Sequence, residues 1–563
     1  MIYTSKQMVL TISDNIDDRA RIQQDEMTTV TYEEPLLDDK QTDPRARAII
    51  LGFECLDSTA LNGMANNLVV YLQTVLHGSN ASNAANVMTW YGAIYFVPIV
   101  GAVLADTYLG RYKTVLFSLV LYLTGTILVT LSAFLIEHQV TCDSKLCDTS
   151  NGFNPILFFL GLYLVAFGVG GVQSSLLSFG ADQFDDRNPK EREKKQQFFS
   201  WYYLCVDFGV ISSGTIIVWI QEYISWALGF GISTLCIAIA FGGFVLGTPT
   251  YNRKVPRGSP LRSLFQVLVC SLKNVRMELP MDTSLLHEND YKFPKLEHTD
   301  EYRFLDKAAI PLDSEAENSN KYSEVCTVTQ VEEVKILFRL LPIWASGIVY
   351  SAAYFQMWTT FIQQGTTMDT KIMSISIPPA SLCSFEVLCV MAWVLVYNKL
   401  VVPKMISEPT KLQRIGIGYF LIILTMAVAA FVEKKRLESV RNGEVISITW
   451  QLPQYFLIAA SEMLTCIAQL EFFYEEAPDS MKSMCTSFNL LAMSLGNYLS
   501  SLIVTLVTVL TGTDGSSGWI PDDLNRGHLD YFFWSLSCLS VVNFVVYVAF
   551  AKRYKLKRII LEM

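Results

Sequence analysis

The stretch FDDRNPKEREKKQQ, residues 184–197, places five basic side chains between two runs that carry almost no charge. Residues 154–180 upstream contain no Asp, Glu, Lys or Arg, and residues 197–220 downstream contain one, Asp207. Each run is long enough to cross a hydrocarbon core of about 30 Å at about 1.5 Å per residue. Backbone groups in lipid must be satisfied within their own segment, so both runs are expected to be helices. Lys and Arg accumulate in cytosolic loops, which fixes the side on which this loop lies.

Working outward in both directions, ten more runs of spanning length appear. The first six lie at 48–74, 84–108, 114–136, 154–180, 197–220 and 224–248; the second six at 332–362, 372–399, 411–432, 450–474, 480–508 and 529–551. Lys399, Lys404, Lys411 and Arg414 mark another basic loop, and the C-terminal KRYKLKR has five basic residues, while VWIQEYIS (218–225) has none. That alternation puts both termini in the cytosol. One loop disagrees: EKKRLESVRNGE (433–444) has four basic residues yet faces outward in a twelve-span count, with three glutamates diluting it. Asn80-Ala81-Ser82 is a glycosylation triplet that fits an outward first loop.

The domain layout is therefore a cytosolic tail (1–47), a six-helix bundle (48–248), a cytosolic linker (249–331), a second six-helix bundle (332–552) and a short cytosolic tail (553–563). Within the linker, Leu261, Leu264, Phe265, Leu268 and Leu272 share one helical face, predicting an amphipathic helix along the membrane or the bundle. Hydrophobic residues make up 51% of the chain and charged ones only 17%, which excludes an ordinary soluble multidomain protein. Much of the net charge of −10 sits in the tail, where residues 1–47 hold ten acidic against six basic side chains. Most cysteines fall in apolar runs; Cys142 and Cys147 share a polar loop, where they form a disulfide or stay reduced according to the compartment the loop faces. No Cys/His spacing suits a metal, no phosphate loop is present, and no nucleophile, base and orienter assemble, so no metal, cofactor, nucleic-acid partner or enzyme activity is expected.

GAVLADTYLGRYKT (101–114) joins the second and third spans and resembles the signature of major facilitator transporters, with Gly101, Asp106, Gly110, Arg111 and Lys113 in place. Its acid and bases at helix ends, Asp106, Arg111 and Lys113, suit a latch that breaks and re-forms as two halves rock. GADQFDD (180–186), FFSWYY (198–203), FLDKAAI (304–310), CTVTQVEEVK (326–335), LLPIWASG (340–347), IPPASL (377–382), LPQYFL (452–457), LEFFYEEAPDSMKS (470–483) and SLGNYLSS (494–501) narrow the likeness. Together they resemble the plant nitrate/peptide transporter family, a branch of the proton-dependent oligopeptide transporters, over nearly the whole chain after residue 45. The resemblance implies an all-α membrane protein with the major facilitator fold, twelve transmembrane helices in two six-helix bundles, and a substrate site at midplane between them. It also implies movement of small solutes, often proton-driven: nitrate, di- and tripeptides, hormones or specialised metabolites.

The chain departs from that family at two places. The family's first helix carries Glu-x-x-Glu-Arg, then two tyrosines and glycine; here the matching residues are Glu54, Asp57, Ser58, Leu61, Asn62 and Gly63. The family's fourth-helix lysine, in GGIKP, is Gln173 in GGVQS. Both cavity bases implied by the resemblance are absent, leaving the acids Glu54, Asp57, Asp207, Glu386 and Glu462 without Lys or Arg at comparable depth. A carboxylate at bilayer depth costs about 2.5–3.5 kcal/mol on insertion scales, enough to make it exchange a proton near neutral pH. Glu54 and Asp57 are the expected proton-coupling pair. One proton moving down about 100 mV supplies roughly 2.3 kcal/mol, or about fifty-fold accumulation of a neutral solute.

Gln173, Asp207, Tyr354, Gln356, Glu386, Glu462, Trp90 and Trp201 are the expected substrate-binding residues, with Tyr91, Tyr202 and Trp358 as further cavity aromatics. By the resemblance, Glu462 in ASEML matches a glutamate associated with a peptide's amino terminus, and Tyr354 in SAAYFQM stands where the best-known nitrate transporter has histidine. None of the five histidines (77, 138, 287, 298, 528) lies deep in a span, which disfavours nitrate. The sequence thus reads as a secondary transporter, a proton-coupled symporter of a peptide, amine-bearing compound or plant metabolite. The alternatives are a nitrate or hormone transporter and a transporter-fold sensor or scaffold without coupling. Its partners are substrate, protons and the lipid bilayer, with the plasma membrane placed ahead of the vacuolar membrane.

Overall fold

The computed structural model describes residues 44–141, 153–184, 189–253, 260–277, 286–287, 298–310, 326–372, 375–404, 409–476, 482–512 and 518–554. The protein is all-α, and each of the twelve expected runs is a helix. In chain order they are Pro44–Ala65 (continued by Leu68–Thr74), Asn80–Leu104, Arg111–Thr141, Phe153–Ala181, Pro189–Ser212 (continued to Tyr223) and Trp226–Leu246, then Val328–Tyr354 (continued by Thr360–Thr366), Leu382–Val396, Lys411–Arg441, Leu452–Glu476, Lys482–Thr511 and Leu529–Arg553. Among the described residues, 11 helices are long and apolar enough to cross a membrane. The first helix falls outside that count, and it is the one that carries Arg45, Arg47, Glu54 and Asp57.

Helix packing repeats with an offset of six. In the first half, helix 1 packs on 5 and 6, helix 2 on 4, and helix 3 on 4 and 6; in the second, helix 7 packs on 11 and 12, helix 8 on 10, and helix 9 on 10 and 12. The halves meet where helix 2 lies on 11 and helix 5 on 8. Two bundles of like topology facing each other is the major facilitator arrangement. Close crossings rest on glycine: a Cβ on Gly125 would lie 2.7 Å from the Gly161 carbonyl, and one on Gly161 would lie 2.9 Å from the Gly125 carbonyl. Gly110, at φ 76°, makes the left-handed turn between the second and third helices that side chains rarely adopt.

The structure corrects several expectations. The eighth run does not start as a helix at 372; Lys371–Ile372 and Ile375–Ser376 form a two-stranded ribbon, and Pro378 and Pro379 delay the helix. The ninth helix runs on to Arg441 and removes one of the four basic residues from display: Arg436 is buried against Glu433, while Lys434, Lys435 and Arg441 stay exposed. Asn80 is 1% exposed, and its amide donates to the Pro521 and Asp522 carbonyls at 2.9 and 3.0 Å, so the triplet clasps another loop instead of offering a glycan site.

The linker helix, Pro260–Lys273, does not use the expected single face. Val267 and Cys270 pack with Leu264 and Leu268 against Leu305, Ala308 and Val334, whereas Phe265 and Leu272 point outward with Val269. Leu261's side chain, Cys142, Cys147 and most of the N-terminal tail lie outside the described residues. The molecule thus has a linker end, where the sixth helix stops and the seventh starts, and an opposite far end.

Candidate functional site

The first helix presents its acids to the fifth. Glu54 and Asp57 are 8% and 3% exposed, and the Tyr202 hydroxyl donates to Glu54 Oε2 at 2.5 Å. Asp57 Oδ1 is buried without a hydrogen-bond partner, with the Tyr122 hydroxyl of the third helix beside it. Ser58, at the position the resemblance gives to arginine, donates to the Val206 carbonyl at 2.8 Å. Directly opposite, a Cβ on Gly209 would lie 2.6 Å from Ser58 Cβ, so the two helices touch backbone to backbone there. Asp207, 4% exposed, belongs to this same crossing.

The second half carries its own acid–tyrosine pair. Tyr354 donates to Glu462 Oε2 at 3.0 Å, both buried, joining helices 7 and 10. Glu386 on helix 8 is 2% exposed with Oε1 unpartnered, close enough for its charge to act on Tyr354, Tyr455 and Cys383. Tyr354 stacks on Tyr350 (6.2 Å) and Tyr350 on Tyr419 (5.1 Å), a column whose hydroxyls are anchored by Ser461 and Ser346. Across the seam, Tyr91 and Tyr95 meet Phe355 at 5.8 and 5.4 Å, and Tyr91 meets Trp358 at 6.1 Å.

Other expected residues are placed differently. Gln173 is exposed on the fourth helix. Gln356 is fully buried, donating to Ser500 at 2.6 Å and accepting from Thr360 at 2.9 Å. Trp90 is buried with Nε1 on the Leu162 carbonyl, and Trp201 is 59% exposed on the fifth helix. Glu54 and Glu462 are therefore buried acids that each accept from a tyrosine hydroxyl, Asp57 lies beside Tyr122 and Glu386 keeps an unpartnered oxygen, whereas Gln356 and Trp90 have spent their polar groups on packing.

The residues expected to form a latch stand at the linker end. Arg111 donates to Asp182 at 2.6 Å and to the Ser178 carbonyl at 3.3 Å; Lys113 is exposed, and the side chain of Asp106 lies outside the described residues. Sequence reasoning missed Asp182, although it stands in GADQFDD. It also missed the counterpart six helices on, where Arg414 pairs with Glu471 at 3.0 Å and Lys411 with Glu475. The repeat of helices was the signal available for it. Among the described residues, the hydrogen bonds between halves run from mid-membrane to the far end: Ser494 to Gly92, Thr89 to Ser501, Asn80 to Pro521, Gln363 to Asn80 and Tyr223 to Ser376.

Comparison with known proteins gives one consistent result. Residues 112–520 match the model of the POT family. The Arabidopsis thaliana protein NRT1/PTR FAMILY 8.3 is 46% identical over 93% of this chain and 94% of its own length, and NRT1/PTR FAMILY 8.5 of the same plant is 44% identical over 91% and 90%. In three dimensions the chain is similar to an auto-inhibited POT family peptide transporter, with TM-score 0.68 and 21% identity over 91% of this chain and 98% of that one. A POT family transporter in complex with 5-aminolevulinic acid is similar at TM-score 0.64 and 13% identity, over 91% and 96%. At these identities the solved structures speak for the fold.

Proposed function

The chain belongs to the POT family of membrane transporters, and from that premise we propose that it is a proton-coupled symporter of a small organic solute bearing an amine, such as a short peptide or an amine-bearing metabolite. The observation that carries this reading is the pair of buried acid–tyrosine contacts, Glu54 with Tyr202 and Glu462 with Tyr354, with no Lys or Arg within six residues of any of the four along the chain. Glu54 and Asp57 take up and release the proton. Glu462, with Glu386 nearby, receives the substrate's ammonium, which supplies the positive charge that the cavity itself lacks. Nitrate finds no cation there, and the carboxylate of a peptide would have to be held by neutral donors.

Alternating access follows from the two ends. Far-end contacts between halves hold that side together, and in this reading the linker end is the side that opens. The latch pairs, Arg111 with Asp182 and Arg414 with Glu471, stiffen each half there as it rocks. In this reading the linker end is cytosolic, both termini with it, and the plasma membrane is the site of action.

The test is uptake into oocytes of labelled dipeptides, amine-bearing metabolites and nitrate at about pH 5.5 and about pH 7.5, on either side of the histidine range that brackets neutral exchange. Uptake of amine-bearing solutes that is stronger at the lower pH, with none of nitrate, is the expected result. Asp57→Asn removes the pH dependence. Flux of nitrate alone, or flux insensitive to pH, overturns the reading.

A further inference from the structure

Beyond the central acids, a second acidic residue stands among unsatisfied polar groups at the far end. The first helix breaks at Asn66 and Asn67, which are 0% and 1% exposed. Neither side-chain amide makes a hydrogen bond of ordinary geometry, and Asn67 has only the looser contact with Glu222. Around that break stand Gln221 Oε1, Glu222 Oε1, Ser381 Oγ and Ser384 Oγ, all buried and likewise unpartnered. These atoms come from both halves: Asn66 and Asn67 from helix 1, Gln221 and Glu222 from the end of helix 5, the serines from the start of helix 8.

Three contacts bring them to one place. Glu222 lies against the Asn67 side chain. The turn Val218–Tyr223 packs on Pro379–Ser381. At Gly214, a Cβ would lie 2.0 Å from Ser384 Oγ and 3.3 Å from Asn66 Nδ2, so the missing side chain is what lets the two polar groups approach. Buried polar groups in native proteins are satisfied by protein or by ordered water, and a cluster drawn from three helices is the kind of site that holds water.

The cluster continues inward along one face. Glu54, Ser58, Asn62 and Asn66 recur every four residues, and Asn62 donates to the Ser58 carbonyl at 2.8 Å. From Asn66 to Asp57 is nine residues of helix, about 14 Å at about 1.5 Å per residue, with a polar side chain at each turn. We propose that Glu222 and the amides of Asn67, Asn66 and Asn62 form a hydrated proton-access path from the far end to Asp57 and Glu54. The proposal rests on the coupling reading above.

A proton from bulk water neutralises the Glu222 carboxylate, passes through water held by Asn67 and Asn66, and neutralises Asp57, leaving Glu222 ionised again. No bond other than those to the proton forms or breaks. The elements packed on the Glu222 turn, Trp226–Leu246 and Pro379–Ser381, bring it no Asp, Glu, Lys, Arg or His. Nearby charges are Lys371, exposed on the ribbon whose Ser376 accepts from Tyr223, with Asp369 bound to the Lys371 backbone, and Glu137, which accepts from Ser225 and the Trp226 amide. Glu222 is therefore the carboxylate that this cluster itself supplies.

Two measurements test the path. Infrared difference spectra of the purified full chain in lipid, taken across an acid-to-neutral titration, should show a carboxylic-acid band in the wild type that Glu222→Gln lacks. Under voltage clamp in oocytes, stepping the outside pH without substrate should give a transient charge movement that Asn66→Leu slows about tenfold, about 1.4 kcal/mol in barrier height. Surface expression of both variants is counted, and Asn66→Ser, which keeps a polar group, should restore the rate. An unchanged spectrum in Glu222→Gln, or wild-type transients in Asn66→Leu, overturns the path. Wild-type flux without pH dependence overturns the coupling reading instead, and the spectra then decide by themselves whether Glu222 exchanges protons.

Discussion

Replacing Arg436 with methionine should be among the most damaging single changes outside the central site. Arg436 and Glu433 are 1% and 0% exposed at their side chains, one helical turn apart on helix 9. The guanidinium donates to Glu433 twice, at 2.7 and 2.9 Å, and also to Asn525 at 2.5 Å and to the Leu524 carbonyl at 3.1 Å. Glu433 in turn accepts from Gln364 of the seventh helix, to which Gln451 and Gln454 of the tenth-helix region also donate. Arg436→Met leaves Glu433 buried with the Gln364 amide alone, and breaking a buried pair on one side costs about 3–5 kcal/mol. At about 1.36 kcal/mol per factor of ten, that is a rise of roughly 10² to 10⁴ in the unfolded population.

Titration with denaturing detergent in mixed micelles, read by tryptophan fluorescence, measures this loss. Glu433→Gln combined with Arg436→Met removes both charges, so its cost should fall to about 1–3 kcal/mol, the value of the remaining hydrogen bonds. A single variant costing less than about 1 kcal/mol, the range of an exposed pair, would falsify the idea that the pair is a buried one. So would a double variant that costs the sum of the two singles.

Three further outcomes follow from the same contacts. Burial opposes the charge of Glu191, yet hydrogen bonds and charge from Lys194 and Arg47 outweigh it and hold the group below the ordinary carboxylate value of 4.5; its contribution to stability is therefore full above that value and is lost as pH falls through the lowered one, so melting curves of wild type and Glu191→Gln should converge only in acid. Arg111→Gln, which breaks the half-exposed link to Asp182, should cost at most about 1 kcal/mol of stability while lowering maximal uptake at unchanged surface expression; wild-type turnover would count against a latch. Ser58→Arg should destabilise by about 1–3 kcal/mol through overpacking against Gly209, and should fail to confer nitrate uptake, which the same oocyte assay reads.

Much of the architecture was legible because lipid leaves a chain so few choices. Twelve apolar runs had to be helices, and charged stretches such as 184–197 marked where one ends and the next begins. Where the reading slipped, a local contact decided against a pattern. Arg436 was counted as a loop charge because a sequence shows neither how far helix 9 extends nor that Glu433 and Asn525 surround the guanidinium. Asn80 fitted a glycan triplet, but its amide is taken by two carbonyls more than four hundred residues away. The linker helix was assigned one apolar face; two faces are apolar, and Val267 and Cys270 choose the one that packs on Leu305.

At the site, the acids were visible as charges where none belong, while their partners were not. Tyr202 reads in the sequence as a cavity aromatic on the strength of its ring, although its hydroxyl is what matters to Glu54. Asp182 and the Arg414–Glu471 pair needed the six-helix offset before they could be recognised as counterparts. Gln356 and Trp90 show the opposite error: a polar or aromatic side chain in a span is as often a clasp as a ligand, and only its hydrogen bonds tell the two apart.

The loss of the basic half of the site is built into the packing and is more than a change of side chain. Where the resemblance puts arginine, Ser58 gives its hydroxyl to the Val206 carbonyl, and Gly209 lets the fifth helix close to within a Cβ's reach. A guanidinium at that position would need the two helices to separate, and Glu54 would then lose the Tyr202 hydroxyl that now serves it. Serine, glycine and tyrosine therefore form one arrangement: a narrow crossing in which a carboxylate is held by a neutral donor. Such a crossing cannot neutralise an anionic substrate, but it leaves two acids able to accept either a proton or a cationic group. Acids without a resident cation, free to take up a proton while the substrate's ammonium goes to Glu462, are the physical basis on which the proposed symport would be coupled.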